Sequence, residues 1–340
     1  MTELEGRRRE ILKLVINDYI LSAEPIGSEA VRERHRLGVS SATVRNEMAV
    51  LEELGYLHQP HHSAGRVPTD QGYRLYVDSL VETEQIPPAE RARIRRTIAG
   101  AELDRVIEEA ARALAMVTEC ASLVAAPRPG RQVVRHLHLI PLGPRQALIV
   151  IVTDAGVFEG KTVEFDPPVS PEECDRLSQE ISRRIAGRPL SDLTDGMLDR
   201  IIGEATLYTR VVDQIGRLLR ERILRPSARV HAEGTANILK QPEFQDVRRA
   251  QPVLSALERE EVVAEFLTED SDPGEVCVTI GMENRREEMR ECSIVSASYR
   301  VGDRPAGVVA AIGPTRMRYG KVITLVRFLA DALGEALGRA

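Results

Sequence analysis

The residues best suited to chemistry are Ala42, Arg45, Asn46 and Ala49, spaced to share one face of a helix whose opposite face carries Val44, Met48, Leu51 and Leu54. Arginine can hydrogen-bond the O6 and N7 atoms of guanine together, and asparagine fits the N6 and N7 edge of adenine in the same way. Alanines beside them let such a helix come close to base edges. Ser40, Ser41 and Thr43 open the same helix, where hydroxyls and unpaired backbone N–H groups suit a phosphate. Its carboxylates, Glu47, Glu52 and Glu53, come later, so only the first turns can face a polyanion. The stretch from Gly55 to Thr69 is a second candidate, because it has no Asp or Glu and carries His58, His61, His62, Ser63 and Arg66. Such a loop can follow a DNA backbone or enter a minor groove.

Several elements must position these groups. Ile11, Leu12, Val15, Ile16, Tyr19 and Ile20 recur at helical spacing, and Glu24-Pro25-Ile26-Gly27 ends that helix. Ser28 is the expected N-cap of a second helix ending near His35. After a turn at Arg36-Leu37-Gly38-Val39, Ser40 or Ser41 caps the third helix and Gly55 stops it. Tyr56 to Thr69, with Pro60, Gly65 and Pro68, suits a short hairpin. A fourth helix begins at Asp70 with Tyr73, Tyr76, Val77 and Leu80 on its apolar side, and Gln85-Ile86-Pro87-Pro88 then breaks the chain. Three short helices and a hairpin predict a winged helix-turn-helix DNA-binding domain over residues 1–86.

The remainder reads as mixed structure. A helix is expected over 90–119 and a strand over 122–126, followed by a three-stranded meander at 136–142, 146–153 and 157–165. Helices follow at about 171–186 and 196–223. In the second, Ile201, Ala205, Tyr208, Val212, Ile215 and Leu219 alternate spacings of four and three, a seam made to pack on another helix of the same chain or of a partner. Strands near 229–232, 276–280, 293–300 and 306–312, with helices near 252–267 and from Tyr319, complete an α+β pattern, and Gly302-Asp303 joins the last two strands as a hairpin. Arg316, far along the chain from the first helices, is expected to serve folding or a domain contact rather than DNA.

Composition narrows the function. The 340 residues carry a net charge of −6, and residues 1–80 hold ten Lys or Arg against twelve Asp or Glu. A chain without a positive field gains little from counterion release on arbitrary DNA, so binding must come from a local surface. Cys120, Cys174, Cys277 and Cys292 stand singly, with neither disulfide-framework nor zinc spacing, and Cys174 shares an apolar helix stripe with Leu177, Ile181 and Ile185. His136 and His138 share a strand face but lack the further ligands zinc needs. GxGxxG, P-loop, HExxH and GxSxG patterns are absent, so no enzyme is expected, nor a cofactor or metal. No apolar run reaches the ~18 residues of a membrane span, and the expected location is the cytoplasm.

One family unites these features. Pro25-Ile26-Gly27-Ser28, Ser40 through Met48, Gln59 through Thr69 and Gly72 through Asp78 closely resemble the HrcA repressors. So do the later stretches Gly234 through Leu239, Pro242-Glu243-Phe244, Ile280 through Asn284 and Gly313 through Tyr319. The resemblance spans nearly the whole length. His62 departs from it, since Thr is usual at that place in the wing. The resemblance implies an α+β multidomain protein: a winged helix-turn-helix, a GAF-like α+β domain over 87–129 and 226–340, and an α/β dimerising domain inserted at 130–225. It also implies a homodimer that represses chaperone operons at an inverted-repeat operator of the CIRCE type, releases it on heat stress, and is kept active by the GroE chaperonin. The alternative is a GAF-domain regulator that answers to a small-molecule effector.

Overall fold

The structure is a computed structural model that describes residues 6–82, 84–99, 103–125, 133–154, 156–165, 168–189, 230–259, 263, 275–302 and 304–338. The chain falls into two units, one of Met1–Ala126 with Arg229–Ala340 and one of Pro127–Ala228.

The first unit begins with α1 (Gly6–Ser22), α2 (Ser28–His35) and α3 (Ser41–Glu53), followed by the short strands β1 (Leu57–His58) and β2 (Val67–Pro68) and by α4 (Asp70–Ser79). The α1 stripe is buried as its spacing predicts, at Ile11, Leu12, Val15, Ile16 and Ile20. Asp18 interrupts that stripe and is also buried, with its carboxylate 3.0 Å from His35 Nε2 and 3.4 Å from Arg34 on α2. Ser28 does not cap α2: the capping position is Gly27, without a side-chain bond, and Ser28 is already helical. On α3, Val44, Met48 and Leu51 are buried, whereas Leu54 is 39% exposed because α3 has ended before it.

From there the unit builds one antiparallel sheet. The expected helix over 90–119 is two helices, α5 (Pro88–Ile98) and α6 (Leu103–Thr118). Ala99 turns extended at φ −82° and ψ 134°, next to Gly100, a poor helix former. The strands are β3 (Ala121–Ala125), β7 (Val230–Glu233), β8 (Val276–Ile280), β9 (Cys292–Val301) and β10 (Arg304–Pro314), in the order β7-β3-β10-β9-β8. Alternate residues face opposite sides, as the period of two requires. Val124, Val295, Ala297, Val309 and Ala311 pack with α6 and the C-terminal helix α9 (Tyr319–Leu337). Leu123, Ile294, Ala310 and Ile312 pack with Phe244 and α8 (Val247–Leu257). That last helix was expected near 252–267; it starts earlier because the Asp246 carboxylate accepts the Arg248 N–H at 3.0 Å, capping the first turn ahead of Pro252.

The core of α1–α4 is continuous with the sheet's α6/α9 side. Tyr73 and Tyr76 of α4 meet Tyr319 of α9 with ring centres 5.9 and 6.4 Å apart.

The second unit contains the meander β4 (Val134–Gly143), β5 (Gln146–Thr153) and β6 (Gly156–Glu164), antiparallel in that order, and α7 (Pro171–Ile185). Ser170 and Glu173 form a reciprocal cap at the start of α7, whose buried side carries Cys174, Leu177, Ile181 and Ile185. Two hydroxyls one turn apart on α7 satisfy the edge of β4: Ser182 accepts from Leu137 N and donates to Leu137 O, each at 2.8 Å, and Ser178 accepts from Leu139 N at 2.8 Å. Covered this way, the strand cannot recruit another along that stretch. The helix expected at 196–223 lies outside the described residues.

Candidate nucleic-acid interface

Ser40 decides how α3 begins. Its backbone is extended, and its hydroxyl accepts the Thr43 N–H at 3.1 Å and lies 2.9 Å from the Thr43 hydroxyl. No carboxylate stands in the first turn of α3, so nothing on the helix itself offsets the positive end of its dipole. Ala42, Arg45 and Asn46 are exposed, while Thr43 and Ala49 are half-buried. Ser41 is half-buried and turned elsewhere: its hydroxyl hydrogen-bonds Glu29 of α2, which with Arg32 lowers that carboxyl's pKa below its ordinary value.

The hairpin is locked to α3 by Glu52, which the sequence marked only as an acid late in the helix. One Glu52 oxygen accepts the Gln59 N–H at 3.0 Å and the other lies 2.8 Å from Arg66 Nε. The Gln59 side chain then closes the tip, donating to His62 O at 3.0 Å and to Ala64 O at 2.8 Å. His58, His61, His62 and Ser63 stay exposed around it. Arg66, expected to reach phosphate, is only 16% exposed and is held on Glu52. Its backbone pairs with Ile26 in both directions, at 2.9 and 2.8 Å, tying the hairpin to the segment between α1 and α2. Glycine is required beside it, since a Cβ on Gly65 would lie 2.4 Å from the Ile26 carbonyl.

The same helices are mounted on the sheet by charged contacts. Arg74 of α4 forks onto Glu283 and also donates to Val278 O, and Asp70 accepts the Met282 N–H at 2.8 Å. Arg316 donates to Ile20 O at the end of α1 at 2.8 Å, to Glu243 at 2.6 Å and to Gln241 at 3.1 Å. It therefore sits at a contact between the N-terminal helices and the sheet, and away from the exposed face of α3.

Other candidates fare differently. Ile201, Tyr208, Val212, Ile215 and Leu219, the proposed dimer seam, lie outside the described residues. His136 and His138 are exposed on β4 with ring centres 5.8 Å apart. Among the described residues, Glu108, His231 and Glu233 bring three donor atoms within 4.8 Å of one another. The guanidinium of Arg112 already lies among them, 2.5 Å from Glu108 and 3.8 Å from Glu233, where a cation would go. Among the described residues no helix is long and apolar enough to cross a membrane.

With that geometry in place, comparison with known proteins is decisive. The model of the HrcA protein C-terminal domain matches residues 104–323, well over half of the chain. The chain belongs to the HrcA family. A heat-inducible transcription repressor HrcA from Natranaerobius thermophilus is 37% identical over 99% of this chain and 98% of its own length. One of the same name from Symbiobacterium thermophilum is 39% identical over 98% of each. HrcA proteins so named are transcription repressors of the heat-stress response, a class distinct from enzymes. A solved structure described as a hypothetical protein at 2.2 Å resolution is similar in fold across 99% of both chains, with a TM-score of 0.65 and 24% identity.

Proposed function

We propose that this repressor binds double-stranded DNA with α3 in the major groove and the β1–β2 loop along the neighbouring backbone. The observation that carries the reading is the start of α3, where Arg45 and Asn46 stand exposed beside Ala42 and no acid occupies the first turn. Arg45 and Asn46 read bases; Ser40, Thr43 and the α3 backbone N–H groups receive phosphate, with Ser41 available once Glu29 yields it. His61, His62 and Ser63 meet the flanking backbone, and Arg66 fixes the loop through Glu52.

In this reading residues 1–86 are the winged helix-turn-helix, 87–129 with 226–340 the GAF-like domain, and 130–225 an inserted dimerising domain. Two copies then match an inverted-repeat operator of chaperone operons by their shared twofold symmetry. Heat stress releases the operator, the GroE chaperonin promotes the active form, and the protein works in the cytoplasm. The support for these last points is membership in the HrcA family.

A transcription assay tests the reading. Purified protein on a template carrying the promoter of its own chaperone operon is expected to block transcript formation at growth temperature and to release it after a heat step. Equal transcript with and without protein at growth temperature would refute it.

A further inference from the structure

The cleft between α5 and α9, at the end of β9, is open to solvent and has a volume of about 1040 Å³. Ligand pockets of ~300 to 1000 Å³ accept small molecules, so a metabolite fits with room for water. The wall combines three chemistries. Phe328 supplies an aromatic face, with the guanidinium carbons of Arg91 and Arg95 at 5.8 and 5.6 Å from its ring centre. Ser298 adds a small polar residue to the wall, its hydroxyl buried and without a hydrogen-bond partner among the described residues.

Charge is the third. Arg95 pairs with Glu335 at 3.2 Å. Arg91, Arg327, Glu84 and Asp331 also line the cleft, Arg327 and Asp331 one turn apart on α9, and none of the four is in an ion pair among the described residues. A simple anion would meet the two carboxylates, and an apolar molecule would strip water from four charges with nothing in return. A molecule carrying both signs can meet both kinds of charge.

We infer that this cleft binds a small amphoteric molecule with a flat ring. Its anionic group goes to Arg91 and Arg327, its ammonium or N–H donors to Glu84 and Asp331, and its ring to the Phe328 and guanidinium surface. This goes beyond operator binding and stands independently of it. The site also touches the connection from α4 to α5 through Glu84, Gln85 and Pro88, so an occupant is in contact with the segment that leads out of the DNA-facing helices.

The test uses the full chain and three probes in calorimetry and thermal melting: L-tryptophan, which has the ring and both charges; indole-3-acetate, which lacks the ammonium; and tryptamine, which lacks the carboxylate. L-tryptophan is expected to bind once per chain, with each of the other two about tenfold weaker or worse, the loss of one charged contact. The double variant Arg91→Ala/Arg327→Ala should lose about tenfold in affinity while keeping the parent's melting temperature, and Arg96→Ala, outside the cleft, should bind like the parent. No heat and no melting shift with L-tryptophan at ~1 mM, the range of weak specific binding, would overturn the proposal. So would indole-3-acetate binding as tightly as L-tryptophan, or a folded double variant binding as the parent does.

Discussion

Arg45 and Arg66 are both arginines of the N-terminal helix and hairpin segment, yet their surroundings give them different work. Arg45 is exposed on α3, where no acid precedes it, and is free to fork onto a base. Arg45→Ala is expected to cost ~1 to 3 kcal/mol on the specific operator and much less on unrelated DNA. Titrating both DNAs by fluorescence anisotropy checks this, and equal losses would make Arg45 a phosphate contact. Arg66 is held on Glu52, so Arg66→Ala should lower the melting temperature, by about 1 kcal/mol of stability for a half-buried pair, and leave the salt dependence of operator binding unchanged. A salt slope lower by about one would mean that Arg66 leaves Glu52 for the backbone. The exposed face of α3 was legible because a period of 3.6 sorts its residues by side. The Glu52–Arg66 pair was not, since it forms only after the hairpin folds back over α3, and no local pattern encodes that return.

At the scale of elements, turn residues carried most of the legible signal. Gly55 ends α3 at φ +81°, a conformation that favours glycine, and Thr69 caps α4 by accepting the Gly72 N–H at 3.1 Å. Gly65 marks where the hairpin runs against the backbone at Ile26. Gly65→Ala is expected to cost ~1 to 3 kcal/mol, the range for forcing backbone to shift in a packed site, and to reduce operator affinity through the displaced loop. Thermal melting with operator titration checks it, and an unchanged melting temperature would mean that the hairpin yields freely. Helix limits were less legible. Periodicity ran through Ala99 as though α5 and α6 were one helix, and it placed the start of α8 at Pro252 because the Asp246 cap is a single side-chain bond. The meander of β4–β6 was read closely, since tight turns and alternating apolar residues both mark it.

At the scale of the molecule, three tyrosines join the N-terminal helices to the sheet, and they make the joint sensitive to alkali. Burial, with the charges of Glu82 and Glu84, raises the Tyr76 pKa to about 12 from an ordinary 10.0, and burial pushes Tyr73 and Tyr319 up as well. The folded chain thus holds protons that the unfolded chain gives up first. The stability this confers is complete below pH 10 and is lost as pH rises from 10 towards 12. Melting temperature and tyrosinate absorbance followed together should show the late-titrating tyrosines ionising as the protein unfolds. Ionisation of every tyrosine near pH 10 without loss of structure would contradict the packing.

Operator recognition by the start of α3 is the central claim, and footprinting tests it most directly. Purified protein should protect two half-sites of an inverted repeat in its own chaperone promoter, at a salt concentration that suppresses nonspecific binding. The protection should vanish with Arg45→Ala/Asn46→Ala while melting temperature and dimer fraction stay at the parent's values. Protection by that folded variant equal to the parent's, or no discrete protection by the parent at all, would contradict the account.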